Sequence, residues 1–142
     1  MARTIVVVED EQDVADILQE VLEMEGYAVK PFSHPDALER QLADMQPDLF
    51  LIDIMLPKTS GIELAQQLRD RHYSDIPMIA MTASLLMSRV ATETGMFADT
   101  LNKPFDLDDL LASVEQCLHD VTGHQPRGAM KRKLSGQELR IG

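Results

Sequence analysis

The chain has one cysteine, Cys117. No intramolecular disulfide can form, and a reducing compartment suits such a protein. Long apolar runs are also missing. None approaches the roughly 20 residues that a membrane helix needs. The N-terminal run TIVVV is too short for the apolar core of a signal peptide and leads directly into acids. A soluble cytoplasmic protein, with no membrane partner, is the expectation. There is no glycine-rich phosphate loop and no nucleophile elbow. The four histidines (34, 72, 119 and 124) are scattered without metal-ligand spacing. His119 sits in a helical pattern but lacks the bundle context of a phosphotransfer histidine. Cys117 reads as a buried helix residue.

What remains is enough for one ordinary domain. The chain has 142 residues, 44% of them hydrophobic, sufficient for a core without disulfides. Basic residues are scarce in the body and gathered at the end. Residues 123–142 hold Arg127, Lys131, Arg132, Lys133 and Arg140 against Glu138, a net +4, which leaves −15 for the first 122 residues of a chain whose total is −11. So acidic a body disfavours direct nucleic-acid binding and suits a cation or a basic protein partner. Gly123, Pro126 and Gly128 mark the change of composition as a linker. KRK reads as a solvated cluster, and Ser135 with Glu138 as a weak cap for a short helix. The expected division is residues 1–122 as the domain and 123–142 as a basic linker or tail.

Within the body, apolar runs and helical patterns alternate five times. The strands expected are TIVVV, YAVKPF, DLFLID, IPMIAMT and MFADTLN. The helices expected are EQDVADILQEVLEMEG, SHPDALERQLADM, SGIELAQQLRDR, SLLMSRVATETG and DLDDLLASVEQCLHD. The first carries Val14, Ile17, Leu18, Val21 and Leu22 at helical spacing and stops at Gly26. Ser33 is the expected cap of the second and Asp106 of the fifth. Such alternation, with near-continuously apolar strands, gives a (βα)₅ chain. Its parallel sheet is covered on both faces, a doubly wound α/β sandwich. In such sheets ligands bind beyond the carboxyl ends of the strands.

The strand ends carry the chemistry. Glu9, Asp10 and Glu11 follow the first strand, Asp53 ends the third, Thr82 ends the fourth, and Lys103-Pro104 follow the fifth. A buried carboxylate such as Asp53 needs a partner, a proton or a chemical task. Carboxylates packed together repel, and a divalent cation removes the conflict. Mg²⁺ prefers oxygen ligands and keeps waters and phosphate oxygens. Asp10 and Asp53 would ligate it directly, Glu9 through water, and the Met55 backbone carbonyl would add a further oxygen. A carboxylate is also a nucleophile able to form an aspartyl phosphate. The Lys103 ammonium and Thr82 hydroxyl suit the charge of a transferring phosphoryl group. Singly, each residue has a bland reading: a solvated loop acid, a capped structural acid, a strand threonine, a surface lysine. Convergence at one sheet edge sets these aside. Pro57 and Gly61 read as loop-shaping residues.

Four motifs in order, VVVEDE, DIMLPKTSG, MTA and LNKPF, make residues 3–121 resemble a response-regulator receiver domain of two-component signalling. The resemblance implies a CheY-like, flavodoxin-like sheet of five parallel strands in the order 2-1-3-4-5. It implies that Asp53 accepts a phosphoryl group from the phosphohistidine of a histidine kinase or phosphotransfer protein. Glu9 and Asp10 would hold Mg²⁺ with it, Lys103 would bind a phosphoryl oxygen, and Thr82 would move in to hydrogen-bond the group. A cis Lys103-Pro104 bond is implied. So is a population shift on the face of the fourth helix, fifth strand and fifth helix, where a downstream protein or a second copy would dock.

Two positions depart from the family. Thr100 stands where a rotating tyrosine or phenylalanine is usual. Met55 stands where a polar side chain is common, near the route of the hydrolytic water. The fifth helix lacks the basic residues expected of the dimerising winged-helix regulators, which favours a stand-alone or differently coupled receiver. SLLMSRV offers an adaptable partner surface. Three rivals remain: a phosphate-independent pseudo-receiver, a receiver cut from a longer regulator, and a Mg²⁺-dependent phosphohydrolase. The last would need a general acid beside the nucleophile, which Ile54 and Met55 cannot be, and a substrate cap.

Overall fold

The computed structural model describes residues 2–120 together with 140 and 141. Five strands form one parallel sheet: β1 (Thr4–Val8), β2 (Ala28–Phe32), β3 (Leu49–Asp53), β4 (Met78–Thr82) and β5 (Asp99–Asn102). Their order is β2-β1-β3-β4-β5. Between and after them run α1 (Gln12–Met24), α2 (Pro35–Gln41), α3 (Gly61–Leu68), α4 (Leu85–Thr94) and α5 (Leu107–Asp120). The (βα)₅ expectation and the strand order both hold.

Alternation along the strands sorts the core into two layers, because successive side chains of a strand point to opposite faces. Ile5 and Val7 join Leu18 and Leu22 of α1 and Leu110 and Val114 of α5 on one face. Val6 and Val8 join Leu38 of α2 and Leu64 and Leu68 of α3 on the other. Both β1 and β3 lie inside the sheet and are buried at nearly every position. That is why they read as continuous apolar runs. Strand β2 is an edge, where Pro31 is tolerated because a missing N–H breaks no inner ladder.

Several ends differ from the sequence reading in instructive ways. Helix α1 stops as expected. Gly26 adopts φ +95°, its N–H bonds the Glu23 carbonyl at 3.0 Å, and the Tyr27 N–H bonds the Leu22 carbonyl at 3.2 Å. This is a Schellman motif, which needs a residue without a Cβ penalty in the left-handed region. Ile17, however, stays 41% exposed while Val14, Leu18 and Leu22 are buried. The cap of α2 is His34, not Ser33, with Pro35 opening the helix; proline's fixed φ suits the first helical position. Asp106 directly precedes α5, where the cap was expected. Helix α3 gives way at Arg69–Tyr73 to a wider turn broken at His72, φ +78°. The expectations for 123–142 fall mostly outside the described residues. Arg140–Ile141 is the exception, a short strand β7 pairing antiparallel with β6 (Phe105–Asp106), which composition did not suggest.

Gly61 does more than shape a loop. A Cβ built on it would stand 2.3 Å from the Asp53 carbonyl oxygen and 2.8 Å from the Ile54 Cα. Its own N–H bonds the Ile54 carbonyl at 2.9 Å. Helix α3 therefore starts hard against the end of β3 because position 61 has no side chain. Ser60 caps it, accepting from the Ile62 N–H at 3.0 Å. Gly61→Ala should cost about 1–3 kcal/mol, the usual range for forcing atoms into a filled site. A lower urea midpoint would show it; an unchanged midpoint would mean the backbone yields freely.

Candidate functional site

Parallel pairing places the ends of β1, β3, β4 and the residues after β5 along one edge of the sheet. Register sets Asp53 beside Met81 and Thr82 beside Asn102. The N–H of Lys103 continues this pairing by bonding the Thr82 carbonyl at 2.8 Å. The Lys103-Pro104 bond is cis, as the resemblance implied.

The side chains converge accordingly. Lys103 Nζ donates to Glu9 Oε1 at 2.6 Å and to Asp53 Oδ2 at 3.2 Å, with Glu11 Oε1 at 3.7 Å. Glu9 and Asp53 are buried, while Asp10 is exposed. Carboxylate oxygens of Glu9, Asp10 and Asp53 all lie within 4.8 Å of one another. Asp53 Oδ1 accepts from the Met55 N–H at 2.9 Å, and Glu9 Oε2 from the Glu11 N–H at 3.2 Å. Both acids are thus held by their own following turns as well as by the lysine. Met55 itself projects outward, 56% exposed.

Thr82 is fully buried, and its hydroxyl accepts from the Ser84 N–H at 3.1 Å. It sits at the end of β4, but its bond runs towards α4 rather than to Asp53. Ser84 in turn caps α4, accepting from the Met87 N–H at 3.1 Å. Leu85 and Leu86 of that helix are 75% and 70% exposed, so the expected adaptable surface lies open.

Burial pushes the Glu9 carboxyl up from its ordinary 4.5 to about 7, the hydrogen bond and charge of neighbouring Asp53 adding to the rise and Lys103 opposing it. Burial works against the charged form of Lys103 as well. Its hydrogen bond to Glu9, the charges of Asp53 and Glu9 and the bond to Asp53 outweigh that and raise it. The donor set suits Mg²⁺: three clustered carboxylates offer hard oxygen ligands, and their mutual repulsion calls for positive charge beyond the single ammonium.

The comparisons with known proteins agree with this geometry. The family model of the response regulator receiver domain matches residues 5–115. The chain belongs to the response regulator receiver family. It is 31% identical over 135 residues to the DNA-binding dual master transcriptional regulator RpaA of Synechocystis sp., covering 94% of this chain and 56% of RpaA. It is 36% identical over 120 residues to the phosphate regulon transcriptional regulatory protein PhoB of Pseudomonas aeruginosa, covering 83% of this chain and 52% of PhoB. The chain therefore spans about half the length of the curated relatives it matches. Among solved structures, a CheY-like receiver domain from Methanospirillum hungatei superposes with a TM-score of 0.79 at 23% identity, over 87% of this chain and 98% of that one. The response regulator TrrA of Thermotoga maritima, solved in complex with Mg(2+)-BeF, superposes with a TM-score of 0.73 at 28% identity, over 82% and 99%. Among the described residues no helix is long and apolar enough to cross a membrane.

Of the residues singled out in the sequence, Glu9, Asp53 and Lys103 meet directly, and the Asp10 carboxylate lies within 4.8 Å of those of Glu9 and Asp53. Thr82 joins them through the strand edge. Sequence reasoning placed Glu11 among the strand-end acids but gave it no part beside Lys103, to which its Oε1 comes within 3.7 Å. It also missed the role of Gly61 against Asp53, which only the packing of α3 reveals.

The raised Glu9 has a consequence for stability. Its folded pKa lies above its unfolded value, so its contribution is present in full below about 4.5 and is lost as pH rises through about 7. With a chelator present, the unfolding temperature should fall across that window, and Glu9→Gln should flatten the fall. A Mg²⁺ ion held with Glu9 would require its ionised form, so any stabilising effect of Mg²⁺ should be larger at about pH 8 than at about pH 5. An equal Mg²⁺ effect at both would contradict the assignment of Glu9 to the cation site.

Proposed function

We propose that residues 1–122 act as a phosphoacceptor switch in two-component signalling, with Asp53 the residue modified. The observation that carries this is the clustering of the Glu9, Asp10 and Asp53 carboxylates at the carboxyl edge of the sheet, with Lys103 bonded to Glu9 and Asp53. An Asp53 oxygen attacks the phosphorus of a phosphohistidine on a histidine kinase or phosphotransfer protein. The P–N bond breaks, its electron pair stays on the imidazole nitrogen, and an acyl phosphate forms on Asp53. Water attack at phosphorus later releases inorganic phosphate and restores the carboxylate. Glu9, Asp10, Asp53 and the Met55 backbone carbonyl would hold Mg²⁺, which would supply positive charge against the phosphoryl oxygens. That TrrA was solved in complex with Mg(2+)-BeF supports Mg²⁺ as the cation. Lys103 binds a phosphoryl oxygen, a role that its bonds to Glu9 and Asp53 support.

The Thr82 hydroxyl turns from Ser84 towards the new phosphoryl group. That alters the cap of α4 and shifts the population of the α4-β5-α5 face, where a downstream protein or a second copy docks. The transfer is to the protein itself, with no substrate turned over. Residues 123–142 serve as a basic linker or tail.

A second reading has an observation in its favour. The relatives named as transcriptional regulators are about twice as long as the matched region. On that reading the receiver is the control part of a longer regulator. Nucleic acid would then be bound by another part and not by the acidic body.

Intact-mass spectrometry after incubation with acetyl phosphate tests the assignment. One phosphoryl adduct is expected, dependent on Mg²⁺ and absent in Asp53→Asn. No adduct under any condition would overturn the phosphoacceptor reading and leave the phosphate-independent module. Met55→Asn should change the lifetime of that adduct, because residue 55 flanks Asp53 and projects into solvent. Identical dephosphorylation rates for the two proteins would show that the side chain at 55 has no part in hydrolysis.

A further inference from the structure

Four polar residues are buried among the described residues: Glu9, Asp53, Thr82 and Ser113. The first three belong to the site. Ser113 lies on α5, away from it, and its hydroxyl donates to Asp99 Oδ2 at 2.6 Å. The other oxygen of the same carboxylate, Oδ1, accepts the Thr100 N–H at 2.8 Å. Thr100 is the position at which this chain departs from the aromatic usual in the family it resembles. Its hydroxyl lies 3.4 Å from the Thr92 hydroxyl on α4. The Thr92 proton is committed to the Ser88 carbonyl at 2.9 Å, so Thr100 is the donor and Thr92 the acceptor.

Strand alternation makes this arrangement directional. Asp99 and Leu101 face α5, where Leu101 joins the core with Leu110 and Val114. Thr100 faces the opposite way, to α4. The strand thus offers one polar contact to each helix, and the two are joined through the Asp99 carboxylate. At the far end, α4 begins on Ser84, whose N–H bonds the Thr82 hydroxyl. Helix α4 is fastened at its start to the site and further along to β5, and β5 to α5.

We infer that Thr100 is a positioning residue that couples α4 to α5 through the chain Thr92, Thr100, Asp99 and Ser113, in the place where a ring would otherwise turn. This rests on phosphorylation of Asp53 displacing the Thr82 hydroxyl from Ser84. A shift of α4 then moves Thr92, loosens its contact with Thr100, and frees the strand to change its hold on Ser113. The signal reaches α5 by exchange of hydrogen bonds rather than by rotation of a side chain.

Hydrogen exchange read by mass spectrometry on the full chain, with acetyl phosphate and Mg²⁺ and the adduct followed by intact mass, tests the inference. In the wild type, phosphorylation should alter exchange at the start of α4 and around Ser113 in α5. Thr100→Val keeps the shape but removes the hydroxyl. It should form the adduct within about twofold of the wild-type rate and keep the α4 change, while losing most of the α5 change. Thr100→Ser should restore the α5 change. Ser113→Ala cuts the chain at its other end and gives the same reading if the valine variant does not fold. An α5 response in Thr100→Val equal to wild type would overturn the coupling. So would a wild-type adduct with no α5 response. Failure of the wild type to form any adduct would instead remove the phosphoacceptor reading and the coupling with it.

Discussion

Lys103 reaches from beyond the last strand of the sheet to two buried carboxylates, Glu9 after the first and Asp53 at the end of the third. Taking either acid out of water alone is costly, and like charges so close oppose each other. The ammonium makes the arrangement tolerable, and the arrangement fixes the relation of three strand ends. It leaves the cluster short of positive charge, and such a set of oxygen donors suits a divalent cation. Burial, with neighbouring Asp53 adding to it, keeps Glu9 ready to take a proton near neutrality.

The rest of the fold serves that edge. Inner strands buried on both faces give it a rigid base. The absence of a side chain at Gly61 lets α3 begin against the Asp53 backbone, so the carboxylate stands on a support without slack. On the opposite side the support is looser. Helix α4 contributes one buried residue, Ala91, and shows Leu85 and Leu86 to solvent. A helix so lightly seated is the element that a change in one capping bond can displace. The two halves of the site therefore differ in stiffness, with the acids on the firm half and Thr82 leading into the yielding one.

Much of this was legible in the residues. The five runs and five helical patterns gave the sheet and its layers because a strand buried on both faces cannot be polar. The chemistry-bearing residues were legible because doubly wound sheets gather their strand ends, so position after a strand implies position at the site. The misreadings were local and have local causes. Ser33 lost the cap of α2 to His34 because Pro35 fixes where that helix starts. Ile17 has the right spacing for the core but falls at the margin of the buried stripe. Gly61 looked like a loop residue because nothing in its neighbours announces the backbone it packs against.

Sequence alone determined the alternation of elements, the hydrophobic faces, the Schellman stop at Gly26 and the inventory of acids, hydroxyl and ammonium. These depend on residues within a few positions of one another. Tertiary structure decided the distances that make the inventory a site. Lys103 meets Glu9 across 94 positions and Asp53 across 50. Only it showed that β5 holds α4 through Thr100 and α5 through Asp99. Local periodicity is set by the geometry of the backbone and can be read residue by residue. Contacts between distant strands depend on register and packing, and these exist only once the whole sheet has formed.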